Sequence, residues 1–539
     1  MRSLVAGLSL LLVTGAALAQ TPRGKPVATP TPAPAPPPQE PPPPPPPRVQ
    51  EGVTKITLEQ ALLTALAHNP IIRQARVEIA SRAAGVNVAR APFDNGLTVG
   101  VDFELTRSPA PDRADGQIQG ARVGGHIDYL HRLPFGTGIG VSLAHRYADS
   151  PGVLTILAPQ FTTDLRATVT QPVLRGFGSA VNEALIGVAQ TLEQAARLDA
   201  QRTAHEVLAN VALAYWNVAQ SEEEVAIRQR VLDRAHKVMD LTNELIKRGS
   251  LPQAAEVQAR STVALRRARL DAVERVREEA QSALVRAILD KAPVRITSAD
   301  PMPSPTPPPA VPAVAAAERV DVRAAGLRAQ AQAQQTAVAE DQVRPALDLS
   351  LFAGLTGLGG TRNDLACQLF TQPGLPAPAG CVASGEFDGY GKTWSTLFGG
   401  GYYTAGIGAT LFLPLQNEGA EGVAAQARIA VDQAKLAADA LRRGVEADVV
   451  SLRGLALSDR RVFETAEEAK RVTLQLIDIE EQRYKVGSAT TFDVLRVQDD
   501  LAEAESLAAS ARAAVLVSDV RYQLAAGRVL EHLGVKVEE

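Results

Sequence analysis

Leu97-Thr98-Val99-Gly100-Val101-Asp102-Phe103-Glu104-Leu105-Thr106 sets an apolar side chain at every second position and a small or polar one between. Successive side chains of a strand point to opposite faces, so this run makes a strand with one greasy and one wet face. The pattern returns at Leu347-Asp348-Leu349-Ser350-Leu351. Each of these strands follows a helical segment that ends near a proline, Pro92 in one case and Pro345 in the other. Each is followed, beyond a loop, by a second strand that stops at a proline: Leu165 to Gln171 before Pro172, and Tyr403 to Leu413 before Pro414.

Working outward, residues 180–247 and 418–485 contain no proline. At about 1.5 Å rise per residue, each makes a helical rod of roughly 100 Å, longer than a compact domain can use. Val211, Val218, Val225, Leu232, Met239 and Ile246 recur at seven-residue spacing, the repeat of a supercoiled seam, so the rods lie side by side with other helices. Both rods end at a glycine turn, Lys247-Arg248-Gly249-Ser250 and Lys485-Val486-Gly487-Ser488, and a return helix follows each. Helix, strand, loop, strand, long helix, tip and return helix are thus stated twice, at an offset of about 240–250 residues. The first repeat covers 53–300, with strands within about 96–172 and helices within about 180–290; the second covers 317–530, with strands within about 346–414 and helices within about 418–527. A Pro-rich linker, 301–316, divides them, and 531–539 form a tail.

Residues 1–19 carry Arg2, the apolar run Leu4 to Val13, and Ala17 and Ala19 before Gln20, the composition of a cleavable secretory signal. Residues 20–52, proline-rich through Pro41 to Pro47, have too little apolar surface to fold and read as a disordered lead-in. Gln20 offers no thiol for lipid attachment. The mature part has no apolar run long enough for a transmembrane helix, so membrane residence requires β-strands. A net charge of -4 argues against a nucleic-acid binder. Export places Cys367 and Cys381 in an oxidising compartment, and the economical expectation is one disulfide.

Four core strands cannot close a membrane barrel, which needs about eight or more, so several chains share one. Three copies under cyclic symmetry give twelve strands, an even number in the observed range. A further hairpin, His126 to Leu130 and Gly138 to His145 around Leu133-Pro134-Phe135-Gly136, allows two arrangements, a protrusion outside the membrane or a further pair of barrel strands. The polar His131 and His145 favour the protrusion. The second half has no equivalent hairpin, and its glycine-rich segment from Gly357 to Gly401 reads as a loop.

Ile56-Thr57-Leu58-Glu59-Gln60-Ala61 with His68-Asn69-Pro70, then Val169-Thr170-Gln171-Pro172-Val173-Leu174-Arg175-Gly176, then Tyr484 through Leu495 at the second tip, together resemble the motifs of the TolC-like outer-membrane efflux family. The resemblance runs from about Ile56 to Leu530. It implies a mainly α fold with a membrane β-barrel portion, in which the duplicated repeat builds a trimeric β-barrel continued by a long α-helical barrel. It also implies a homotrimer in outer-membrane lipid, with helices in the periplasm docking a periplasmic adaptor and an inner-membrane transporter, and neither cofactor nor metal. By the same resemblance Asp493 falls at an acidic aperture ring. Arg496 stands where some members carry a second acid, Ala255 precedes Glu256 at the matching place of the first tip, and Ala489 replaces a basic lock residue. A salt-bridge lock is therefore not expected, while Tyr484 remains able to hydrogen-bond across the tip. Read without the resemblance, Asp493 is a helix-capping or solvated carboxylate.

Trp216 reads as a packing aromatic, and His126, His131 and His145 are not gathered into metal-ligand spacing. The charges from Arg266 to Arg277 form a wet helix face. No phosphate loop, HExxH or GxSxG occurs, which leaves an enzyme without its machinery. The rival reading is a periplasmic coiled-coil structural or adaptor protein. Such a protein has no use for greasy strand faces in both repeats. Three methionines and no methionine-histidine cluster disfavour copper as cargo.

Overall fold

The computed structural model describes residues 54–535 apart from 110–116, 150–154, 289–295, 308–317, 371–373, 375, 382–384, 386 and 487. The signal segment, the Pro-rich lead-in, much of the inter-repeat linker and Gly487 lie outside the described residues.

In chain order, β1 (Thr54–Ile56) leads into α1 (Leu58–His68) and α2 (Pro70–Arg90). Thr57 starts α1 as a capping box: its hydroxyl accepts from the Gln60 N–H at 3.2 Å, and its own N–H donates to Gln60 Oε1 at 3.1 Å. Asn69 breaks the helix and restarts it, its side chain accepting from the Ile71 N–H at 2.9 Å with Pro70 at the first helical position. Then come β2 (Gly96–Pro109), β3 (Gln117–Arg132), β4 (Gly138–Asp149) and β5 (Leu157–Pro172), followed by α3 (Ser179–Asn182), α4 (Ala184–Lys247), α5 (Ala254–Ile288) and β6 (Ile296–Ser298). The second half holds α6 (Val320–Asp341), β7 (Ala346–Arg362), α7 (Asp364–Phe370), α8 (Tyr390–Gly399), β8 (Tyr403–Phe412), α9 (Glu418–Lys485), α10 (Thr491–Ala525) and α11 (Val529–His532).

The long helices α4 and α9 have 64 and 68 residues, which at about 1.5 Å each gives roughly 100 Å. α4 packs along α5, α10, α2 and α6, and α9 along α10 and α6. The contacts are built on small side chains: Ala209, Ala212, Ala508, Ala509, Ala511 and Ala513 are all buried, and alanine lets helix axes approach closely. Larger residues fill one node, where Leu208, Val211, Tyr215 and Val218 meet Leu62, Leu284 and Ile288. Val211 and Val218 of the seven-residue series are fully buried there, whereas Met239 and Ile246, nearer the tip, are half-buried.

Six strands form one antiparallel sheet in the order β2-β3-β4-β5-β7-β8, so the hairpin of the first half is part of the sheet and is no protrusion. β3 pairs with β2 along its whole length, from Gly96 opposite Leu130 to Pro109 opposite Gln117. β4 bridges β3 and β5. The physical reason is hydrogen bonding: β3 and β4 satisfy their backbone groups against β2, against each other and against β5 along nearly their whole length, and their alternation puts Ile127, Tyr129, Val141 and Leu143 on the same face as Leu97 and Val99. The turn Leu133–Thr137 lies beside the start of the helices, since Gly178 donates its N–H to the Phe135 carbonyl at 3.2 Å. Gly136 needs its φ of +93° there, and a Cβ would press on the Pro172 ring. The segment Gly357 to Gly401 likewise departs from the expected loop: it continues β7 to Arg362 and carries α7 and α8. Among the described residues, no helix is long and apolar enough to cross a membrane.

Candidate functional site

The sheet register sorts its side chains by face. Leu97, Val99, Val101 and Phe103 stand in line with Ile127 and Tyr129 on β3, Val141 and Leu143 on β4, Leu165 and Val169 on β5, Leu349 and Leu351 on β7, and Ile407 on β8. That face is apolar across all six strands, and Val101 is 81 % exposed on it. The opposite face carries Asp102, Glu104, Arg122, Asp128, Arg146, Asp164 and Arg166. Several of its charges are paired or stacked: Arg122 lies 3.3 Å from Glu104, Thr356 donates to Asp164 at 2.8 Å, and the Arg166 guanidinium sits 4.6 Å over the Phe352 ring. One face suits lipid and the other suits water, as in a barrel wall around an aqueous lumen.

Beyond the sheet, the helices carry two polar nodes that sequence reading missed. At the first, the Tyr215 hydroxyl lies 2.9 Å from the Asp300 carboxylate and accepts the Asp300 N–H at 3.1 Å, while the same carboxylate accepts from the Leu58 N–H at 2.8 Å. This holds the short parallel pair β1–β6 against α4, and burial pushes the Tyr215 hydroxyl up to about 12. Trp216 packs edge-on to Tyr215 at 5.2 Å. At the second node Asp321, 2 % exposed, is held by Arg319, which also donates to the Ala525 carbonyl at 2.9 Å, with Arg202 at 4.0 Å. Burial opposes ionisation of Asp321, but the hydrogen bonds and charge of Arg319, helped by Arg202, outweigh it and hold the carboxyl below its usual range. His205 beside it is pushed down by burial and then by Arg319.

At the tips, Gly249 takes φ +73° after α4, and the turn closes with Gly249 N–H to Ile246 O and Ser250 N–H to Leu245 O, both 2.9 Å. The second tip repeats the wider bond, Ser488 N–H to Arg483 O at 2.8 Å. The two tips meet: Leu251, Pro252 and Ala255 share a groove with Tyr484, Ala489, Thr490 and Phe492. Tyr484 packs half-buried against Ile477, Val494 and Val497. Asp493 closes a capping box at the start of α10, accepting from the Thr490 N–H at 2.9 Å and the Thr490 hydroxyl at 2.6 Å. The Thr490 bonds, and then the nearby charges of Arg496 and Arg483, hold its carboxyl below the ordinary range. Glu256 lies in the first turn of α5, half-buried, and Arg496 is exposed.

Just above the tips, Arg266 is buried against α4 and α10, 3.3 Å from the Val231 carbonyl, 3.4 Å from the Leu495 carbonyl and 2.9 Å from Asp499. Sequence reading took it for part of a wet helix face, and the structure places it inside. Cys367 and Cys381 are joined as a disulfide, Cα to Cα 5.3 Å, in the segment between β7 and α8. Among the described residues, no three His, Cys, Asp or Glu side chains are gathered as a metal site.

The duplicated helical hairpins thus hang from one two-faced antiparallel sheet whose end strands, β2 and β8, each have a single neighbour. The family model described as outer membrane efflux protein matches residues 311–528. Among solved structures, the chain is similar to the CmeC outer membrane channel of Campylobacter jejuni, at 14 % identity over 88 % of this chain and 86 % of that one, with a TM-score of 0.60. It is similar to the MtrE outer membrane channel of Neisseria gonorrhoeae, in its open state, at 15 % identity over 88 % and 89 % and a TM-score of 0.60. The outer membrane protein VceC of Vibrio cholerae matches at 17 % identity over 87 % and 96 %, with a TM-score of 0.57. No sequence among curated proteins matches this chain. The chain has the fold of the outer-membrane efflux channels, and its second half carries their sequence pattern, as the resemblance implied.

Proposed function

We propose that this protein is the outer-membrane exit channel of a tripartite efflux or type I secretion system, a homotrimer that passes substrates from an inner-membrane transporter through a continuous tunnel to the outside. The observation that carries this is the sheet: one face is apolar across six strands, the other is charged, and its end strands β2 and β8 each have one neighbour. Hydrocarbon admits such a sheet only when it is closed, and a single chain of six strands is too few to close one. Three copies bring eighteen strands instead of twelve, and at about 4.8 Å between strands tilted roughly 40° they enclose a ring of about 18 Å backbone radius. A wall of that size keeps an aqueous lumen, so the barrel imposes little selection and any constriction falls to the helices.

The helices α4, α5, α9 and α10 then continue the tunnel into the periplasm, with the Gly249 turn and the second turn, closed by Ser488 on Arg483, at the far end. Asp493 supplies the aperture's acidic ring, with Arg496 one turn along α10, and Glu256 and Tyr484 beside it. A periplasmic adaptor docks on these tips. Photocrosslinkers placed in cells at Phe492, at the tip, and at Leu97, on the sheet, test this arrangement. Capture of a periplasmic adaptor from Phe492 and not from Leu97 is expected. Absence of any adaptor from several exposed tip positions would overturn the docking reading.

A further inference from the structure

Helix α8 lies on the apolar side of the sheet, and the strand beneath it is shaped to receive it. A Cβ at Gly357 would collide with the Thr393 carbonyl, and one at Gly359 would lie 2.6 Å from both the Gly389 carbonyl and the Thr393 hydroxyl. Gly357 and Gly359 follow Leu349 and Leu351 on the same face of β7, so α8 is seated on the face read as lipid-facing. It also finishes the edge of β7 above the end of β8: Thr396 accepts the Leu358 N–H at 3.0 Å, where a strand would otherwise pair. Glycines bound the helix, Gly389 at φ +98° and Gly400 at φ +68°. The inner side of α8 stacks on the sheet, with the Trp394 indole parallel to His145 at 5.6 Å and the Tyr390 ring edge-on to Phe161 at 5.0 Å. His145 in turn lies 2.8 Å from the Thr163 hydroxyl.

The outer side of α8 is aromatic with one cation. Phe398 is 74 % exposed, Lys392 is exposed, and Tyr390, whose inner edge meets Phe161, is still 51 % exposed, while Trp394 is half-buried at the seam between helix and sheet. From Leu347 to Gly357 a strand tilted roughly 40° climbs about 25 Å, the height of the apolar band of a membrane barrel, so α8 sits at the band's upper border. Aromatic rings with a polar edge settle at the headgroup level, and lysine there meets lipid phosphate.

We propose that α8 is an outer-leaflet anchor, a helix clamped to the outside of the barrel wall by Gly357, Gly359 and His145 that presents Phe398, Lys392 and the exposed part of Tyr390 to the phosphate and upper acyl region of the outer leaflet, with Trp394 at the seam beside them. The proposal rests on the membrane reading of the sheet. The continuity of α8 with that apolar face, its height on the wall and its mixed aromatic and cationic outer side together single out a lipid surface as occupant.

The chain's tryptophans make the test direct. It has two, and Trp216 is buried among the helices, so in the Trp216→Phe protein Trp394 is the sole reporter. The purified full chain is reconstituted in vesicles of phosphatidylglycerol and phosphatidylcholine whose acyl chains are brominated either near the headgroup or near the methyl end. Trp394 emission should fall by roughly half with the shallow bromines, less with the deep ones, and little with aqueous acrylamide. The double variant Lys392→Gln/Phe398→Ser should lose part of the shallow quenching. Quenching by acrylamide and not by lipid places α8 in water and overturns the proposal. Protection from both places it against a neighbouring copy and overturns it equally. A Val101→Trp reporter, with Trp216 and Trp394 changed to Phe, tests the sheet separately. If it responds to the deep bromines while Trp394 responds to neither lipid, the anchor fails and the membrane reading stands; if neither reporter responds, both fail.

Discussion

Replacing Arg266 by Met removes the guanidinium that joins the first hairpin to the second just above the tips. Arg266 is 3 % exposed and bonds two carbonyls and a carboxylate, of which the carboxylate, Asp499, is half-exposed. A hydrogen bond to a charged group contributes about 1.5–3 kcal/mol, and breaking a fully buried ion pair costs about 3–5 kcal/mol. Asp499 recovers water once released, so the lower range applies. Methionine keeps most of the aliphatic packing, which leaves a net loss of about 2 kcal/mol for the contact between α4, α5 and α10. At about 1.4 kcal/mol per decade this is roughly a thirtyfold rise in local opening. Burial lowers the guanidinium's affinity for its proton, with Asp499 opposing, so the bridge carries a desolvation cost that its bonds must offset. Hydrogen exchange read by mass spectrometry should therefore show faster exchange around Val231 and Leu495, with unchanged protection around Tyr215. Asp499→Asn should give a smaller effect. Unchanged exchange at Val231 and Leu495 in Arg266→Met would refute the bridge.

The second polar node makes helix stability pH-dependent. His205 has a folded pKa below its unfolded value, so its share of stability is present above about pH 6.5 and is lost as pH falls; Asp321, also depressed, adds a further loss only below about pH 4, as pH falls through its folded value. Denaturant midpoints should drop between about pH 7.5 and 5.5, and His205→Gln should flatten that drop; an identical slope in the variant contradicts it. Unreduced protein should contain no alkylatable thiol, and Cys367→Ser/Cys381→Ser should increase protease nicking between β7 and α8 while leaving helical melting unchanged, since the bond closes a short loop of separation 14. Three copies of Asp493 should make the closed channel cation-preferring, an effect screened by salt, and Asp493→Ala should weaken it in planar bilayers. Because Arg496 blunts the ring, the comparison includes Arg496→Ala, and unchanged selectivity in both backgrounds puts the constriction elsewhere.

The framework was legible because its signals are periodic. Alternation at Leu97 to Thr106, prolines closing the strands and glycines closing the rods follow from backbone geometry alone. The hairpin was misplaced because His131 and His145 were weighed as interruptions of an apolar face; His145 is tolerated on that face because α8, nearly 250 residues away in sequence, covers it with Trp394 and Tyr390. The four-residue spacing of Tyr390, Trp394 and Phe398 was the one local sign of that helix, masked by the glycines around it. Arg266 gave no sign, since a buried arginine on a charged helix has the same pattern as a solvated one. Asp493 was read both ways, and its capping box with Thr490 is the local fact, whereas a pore ring depends on neighbouring copies that periodicity within one chain does not record.

Electron cryomicroscopy of the protein in lipid nanodiscs tests the central claim most directly. A threefold ring of eighteen tilted strands is predicted, with β2 of each copy paired to β8 of the next, residues 117–149 inside the wall and the turn at Phe135 on the side of the helices. A twelve-stranded wall with residues 117–149 projecting from it, or a single chain with an open sheet, would contradict the account.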